Sequence, residues 1–149
     1  MSNIEKNYDF VNSEIIAIQA YNWKFVAVEK SNNHELVADR LHIQEWECFK
    51  LIQLGDNKIA FQAHNDKYVC AKKDSGEIVA GRKNRQDWEV FTVTQLGENK
   101  VALKSHHGNY VSVDSRKNGR LIAAHTTIEE SEIFRWIPLR DFQKNNIPE

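Results

Sequence analysis

An all-β fold built from three copies of one four-stranded unit is predicted by three observations: a gapless internal repeat, a two-residue apolar period within each copy, and turn-forming residues between the runs. The segments IAIQAYNWKFVAVEK (from Ile16), IAFQAHNDKYVCAKK (from Ile59) and VALKSHHGNYVSVDS (from Val101) align without a gap, at offsets of 43 and 42 residues. Each continues into ELVADR, EIVAGR or RLIAAH, and then into EWECFKLIQLG, DWEVFTVTQLG or ESEIFRWIPLR. Self-similarity at this period means that each unit is one supersecondary element and that the copies share a core none could bury alone.

The first run of each unit alternates: Ile16, Ile18 and Ala20 share a face, as do Ile59, Phe61 and Ala63, and Val101, Leu103 and Ser105. A period of two rather than 3.6 marks half-buried strands. Phe25, Tyr68 and Tyr110 open the second run. Turn formers SNNH, DSG and RKNG then lead into the third. The fourth run carries Phe49, Phe91 and Phe134, followed two places on by Leu51, Val93 and Trp136. These triplets read as layers of one core. The two prolines, Pro138 and Pro148, lie at or beyond the last run and interrupt no ladder.

Twelve short strands in three sets of four would leave long edges in an open sheet, so closure into a barrel is expected. A propeller of three four-stranded blades falls below the usual range for such rings. The predicted fold is therefore a β-trefoil with repeats at about 16–57, 59–99 and 101–138, forming one domain over 15–138. Residues 1–14 form an N-terminal extension and 139–149 a C-terminal tail, expected to pack across the barrel or to stay mobile.

The chain has 149 residues with a formal net charge of -1, enough length for a core without metal or disulfide staples. A near-neutral balance supplies no global positive field for nucleic acid, and no run of eighteen apolar residues is present to insert into a membrane. The first 25 residues lack a basic segment followed by a long apolar run, so a soluble, cytoplasmic protein is expected, with a monomer favoured. Cys48 and Cys70 sit in strand-like runs without ligand or redox spacing and read as buried small hydrophobes.

The combination KVALKSHHGNYVSVD, with LIAA after it and EWECF or DWEVF in the other units, resembles the repeat of the fascins and their histidine-rich relatives, the hisactophilins. The resemblance covers roughly residues 15–138. It implies a non-enzymatic trefoil that binds a protein filament such as actin; similar trefoils elsewhere bind carbohydrate.

HHGN, His106 to Asn109, is the most conspicuous candidate for chemistry. It aligns with YNWK and HNDK, so a hairpin turn is expected, with Gly108 taking positive φ. Adjacent histidines on extended backbone are expected to diverge, and no third ligand has a convincing spacing, so no metal or cofactor is expected. The acidic pairs Glu45/Glu47, Asp87/Glu89 and Glu130/Glu132 recur in every unit, whereas acid-base catalysis needs one unequal pair in a cleft. They read as a structural motif, and the chain as no enzyme.

Candidate binding residues are those that break the threefold pattern. Trp23 stands at a turn position held elsewhere by Asp66 and Gly108, flanked by Tyr21, Asn22 and Lys24. An aromatic there suits stacking on a sugar ring or anchoring a protein; the plainer expectation is that it folds onto Tyr8 or Phe10. The second unit alone concentrates Lys72, Lys73, Arg82, Lys83 and Arg85, which could share a face, against the plainer reading of a solvated surface balanced by Asp74, Glu77 and Asp87. The two expected partners are thus a filament of actin type and a glycan.

Overall fold

The computed structural model describes residues 13–31 and 33–139. Within them lie twelve strands: β1 (Ser13–Gln19), β2 (Phe25–Glu29), β3 (Glu35–Arg40), β4 (Phe49–Gly55), β5 (Lys58–Gln62), β6 (Tyr68–Ala71), β7 (Ile78–Arg82), β8 (Phe91–Gly97), β9 (Lys100–Lys104), β10 (Tyr110–Asp114), β11 (Arg120–His125) and β12 (Phe134–Pro138). No helix among the described residues is long and apolar enough to cross a membrane.

The first and fourth strands of the units close a ring of antiparallel pairs. β1 pairs with β4 and β12, β4 with β5, β5 with β8, β8 with β9, and β9 with β12. Closure removes the unpaired edges that an open sheet would expose. Two of the links, β4–β5 and β8–β9, use two-residue turns whose central residues, Asp56 and Asn57 or Glu98 and Asn99, all have positive φ. Such turns match the right-handed twist of the flanking strands.

The second and third strands form three hairpins, β2–β3, β6–β7 and β10–β11. They are stitched to one another by backbone bonds from Ala38 N to Gly119 O (2.7 Å), Ala80 N to His34 O (2.9 Å) and Ala123 N to Gly76 O (2.8 Å). At two of these contacts a side chain would collide: a Cβ on Gly119 would lie 2.9 Å from Ala38 O, and one on Gly76 2.6 Å from Ala123 O.

Phe49, Phe91 and Phe134 are each no more than 1 % exposed, as equivalent members of one core should be. The ring that links the aromatic layer is Phe61, whose centroid lies 6.4 Å from Phe49, 5.9 Å from Phe91 and 5.9 Å from Trp136. It occupies the place of Ile18 and Leu103 in the other units, so the larger ring breaks the threefold core. The twelve-stranded β-trefoil expected from the repeat is the fold observed.

Three details differ. Ser13 and Glu14, expected in the extension, already belong to β1 because they pair with Ile52 and Leu51. Leu139, expected to start the tail, is buried. Cys48 is only half-buried, its thiol 3.1 Å from Gln44 O, whereas Cys70 is fully buried and its thiol is pushed up to about 11, chiefly by burial and secondarily by Glu89.

Candidate functional site

The three β1–β2-type turns have the same backbone. Trp23 N, Asp66 N and Gly108 N donate to Ala20 O, Ala63 O and Ser105 O, and Ala20 N, Ala63 N and Ser105 N donate to Lys24 O, Lys67 O and Asn109 O. The residue at the tip has positive φ each time: Trp23 68°, Asp66 65° and Gly108 92°. HHGN is a hairpin turn, and Gly108 does adopt the predicted conformation. The expected divergence of the two histidines is corrected: turn backbone is not extended, and the rings of His106 and His107 meet edge to face at 5.5 Å. No group of three or more His, Cys, Asp or Glu among the described residues is placed to hold a metal ion.

The acidic pairs form short 3-10 turns, Glu45–Glu47, Asp87–Glu89 and Glu130–Glu132. In each, the second carboxylate is buried and accepts the backbone N–H three residues earlier: Gln44 N to Glu47 (2.6 Å), Gln86 N to Glu89 (2.7 Å) and Glu129 N to Glu132 (2.7 Å). This reciprocal capping explains why the motif recurs. The residue ending the third strand also reaches the same carboxylate: Arg40 Nε at 3.5 Å from Glu47, Arg82 Nε at 3.9 Å from Glu89 and His125 Nδ1 at 2.6 Å from Glu132.

Trp23 is 64 % exposed, the largest apolar side chain left to solvent among the described residues. Its expected contact with Tyr8 or Phe10 falls outside the described residues. The guanidinium of Arg135 stands 4.7 Å from the centroid of its ring. Beside it opens a cleft of about 180 Å³, lined by Tyr21, Trp23, Lys100, Glu130, Ile133 and Arg135. Tyr21 packs its body against the core and so forms the inner wall.

The flanking candidates divide. Asn22 is a brace: its Nδ2 donates to Ala38 O (3.2 Å) and its Oδ1 accepts from Lys24 N (3.0 Å), a pattern Asn65 repeats with Ala80 O and Lys67 N. Lys24 lines a separate polar groove of about 740 Å³ that also contains Glu29, Asp39, Lys117 and Arg120. The turn carrying Trp23 is therefore a ridge between a small aromatic cleft and a longer polar groove.

The five cations of the second unit are spread along the β6–β7 hairpin and the chain that follows it. Tyr68 pairs with Arg82 at one end of the β6–β7 hairpin and Ala71 with Ile78 at the other, which separates Lys72 from Arg82 by about 13 Å of strand. Several are also engaged. Lys72 pairs with Glu77 at 3.5 Å, Arg82 lies over Trp88 and beside Glu89, and Arg85 lies over Tyr68. Lys73 and Lys83 remain exposed, and Lys83 lines a cleft of about 810 Å³ with Arg82 and Trp88.

Sequence reasoning missed Lys100, Glu130 and Arg135. Glu130 and Arg135 belong to the last unit and Lys100 immediately precedes it in β9, and they reach Trp23 of the first only because β12 closes the ring against β1, with Arg135 opposite Gln19. The available signal was the closure itself, which requires the final strand to pair with the first.

The family model of the FRG1-like domain matches residues 84–145, less than half of the chain. No curated protein sequence matches. Among solved structures, the chain is similar to the designed 3-fold symmetric protein ThreeFoil (TM-score 0.75, 16 % identity, covering 84 % of this chain and 99 % of that one). It is also similar to a GlcNAcα1-4Gal releasing endo-β-galactosidase from Clostridium perfringens (TM-score 0.71, 12 % identity, 83 % of this chain and 32 % of that one). A third is the Polyporus squamosus lectin bound to a human-type influenza-binding epitope (TM-score 0.72, 12 % identity, 86 % of this chain and 50 % of that one). The chain thus spans half or less of two of these proteins, and at such identities the likeness establishes the fold: this protein is a β-trefoil.

Proposed function

We propose that the protein is a non-catalytic binding module that takes a glycan at the Trp23 cleft. One observation carries this reading: an indole held in the open by a positive-φ turn, beside a cleft about the size of one sugar ring and furnished with Lys100, Glu130 and Arg135. Sugar rings present a flat apolar face and a rim of hydroxyls, which an aromatic platform and a few convergent donors and acceptors match. The recurrent carboxylates offer no competing catalytic reading, since the buried member of each pair caps its own turn. A lectin among the structural neighbours supports the ligand class by analogy of fold.

A protein surface of actin type is the second reading. The fascin resemblance favours it, and so does Leu41, 70 % exposed just beyond β3, where the Phe25–Arg40 pairing brings the chain back toward the Trp23 turn. An exposed tryptophan and leucine at one end of a hairpin would suit an interface anchor.

A glycan array run beside filament co-sedimentation separates the two. On the glycan reading Trp23→Ala lowers sugar affinity at least tenfold, about 1.4 kcal/mol, and the double variant Lys72→Glu/Arg82→Glu leaves it unchanged. Co-sedimentation that is lost in both Trp23→Ala and Leu41→Ser, with no sugar bound, would replace the glycan by the filament. Each variant is read only after its thermal unfolding is matched to wild type.

A further inference from the structure

Lys100 and Arg135 face each other directly across β9 and β12. The equivalent pairs at the other two junctions are Lys58 with Thr92 and Ile15 with Lys50, each carrying a single cation. Like charges opposite one another on neighbouring strands oppose folding, so this junction alone bears that cost. Both side chains line the Trp23 cleft, both are only half-exposed, and neither has an ion-pair partner within 4.0 Å among the described residues. The Arg135 guanidinium is moreover held over the indole at 4.7 Å, which fixes one donor fork at the wall of the cleft.

Two opposed cations that make no ion pair within 4.0 Å attract an anion, and a guanidinium offers a carboxylate two parallel N–H donors. The third charged group of the cleft is the exposed carboxylate of Glu130. It lowers the local positive charge, which disfavours a dianion such as a phosphate monoester, and it supplies an acceptor for hydroxyl groups. Beside these lies the open indole.

We infer that the Trp23 cleft selects an acidic sugar, its carboxylate between Lys100 and Arg135, its ring against Trp23 and a hydroxyl on Glu130. The inference rests on the glycan reading above and narrows its ligand to sugar acids, such as terminal sialic or uronic acids. The other junctions lack both the paired cations and an aromatic at the turn tip, so the described residues hold one such site rather than three.

The test titrates the purified chain with sialyllactose, lactose and a glucuronic acid-terminated disaccharide, reading affinity by calorimetry and the site by the indole N–H cross-peak of Trp23. The acidic sugars should bind at least tenfold tighter than lactose, and that margin should shrink between about 50 and 300 mM salt as the charges are screened. Lys100→Met combined with Arg135→Gln should abolish the margin, the acids then binding no more tightly than lactose, and should not lower the unfolding temperature, because a like-charge pair has been removed. Equal affinity for lactose and the acids, or a margin that survives in the double variant, overturns the inference and leaves the glycan reading intact. Displacement of the acids by millimolar inorganic sulfate together with indifference to Trp23→Ala overturns it in favour of a bare anion site. Failure of wild type to bind any of the three sugars removes the glycan reading and this inference with it.

Discussion

Glu132 shows how one side chain ties several backbone groups together. Burial by itself would raise its carboxyl, but the Glu129 N–H, the Ser131 hydroxyl and the His125 ring all hydrogen-bond the charged form and hold it below the ordinary carboxylate value. A group whose folded value lies below its unfolded one contributes stability above the unfolded value and loses it as pH falls through the folded one. The wild-type protein should therefore lose unfolding temperature as pH drops from about 5 through the acid range. Glu132→Gln should start lower at neutral pH, where charge-assisted bonds are gone, and then fall less steeply. Thermal unfolding of both proteins across that range checks the point; parallel curves would mean that the carboxylate contributes no such linkage. The residue scale also explains why Trp23 is conspicuous. Its backbone does what Asp66 and Gly108 do in the other turns, so only its side chain is free to differ.

At the scale of the element, the hairpin turn is repeated three times with one substitution that leaves a trace. Asn22 and Asn65 brace the third strand through Ala38 O and Ala80 O, while the third turn has His107 at the same place. Its Nε2 is buried with no hydrogen-bond partner, and its ring instead meets Trp88 edge to face at 5.1 Å. The edge contact is worth about 0.5–1.5 kcal/mol, whereas an orphaned buried polar atom costs about 1–3 kcal/mol. His107→Asn should restore the brace toward Ala123 O and stabilise the domain by roughly 1 kcal/mol, measured as a higher urea midpoint at unchanged slope. A loss of stability would show that the Trp88 contact outweighs the orphan. Elements of this kind were legible in the sequence because each was written three times, so the alternation of Ile16, Ile59 and Val101 and the turn character of HHGN could be read by comparison. The distance between Lys72 and Arg82 was not legible. Proximity along the chain hides that a hairpin sends its two ends in opposite directions, which only the Tyr68–Arg82 register reveals.

The whole molecule adds what no single unit contains, namely the junctions between units. The Trp23 cleft is one, assembled from the first and last repeats by ring closure. The cap is another. Glu35, Glu77 and Arg120 are equivalent by the repeat, each opening ELVADR, EIVAGR or RLIAAH, and Arg120 spans to both carboxylates, at 3.8 Å from Glu35 and 3.6 Å from Glu77. Their equivalence could be read from the sequence, but their meeting could not, because it depends on the three hairpins converging through β3, β7 and β11. Threefold symmetry would place three like charges together, and the one exchange of sign converts repulsion into a clasp across all three units. Arg120→Glu should therefore destabilise the fold by roughly 2 kcal/mol at neutral pH, somewhat less than the loss of a fully buried pair, since Arg120 is 24 % exposed. Three converging carboxylates raise one another's pKa. A group raised in the folded state favours folding below its unfolded value and loses that advantage as pH rises through the folded one, so the deficit of the variant should narrow on going from pH 7 toward pH 4. Added salt should narrow it as well, and Arg120→Leu, which removes the clasp without adding a third carboxylate, should fall between wild type and Arg120→Glu. Urea unfolding of the three proteins at both pH values decides it: a deficit independent of pH and salt would show that Arg120 holds the hairpins by packing rather than by charge.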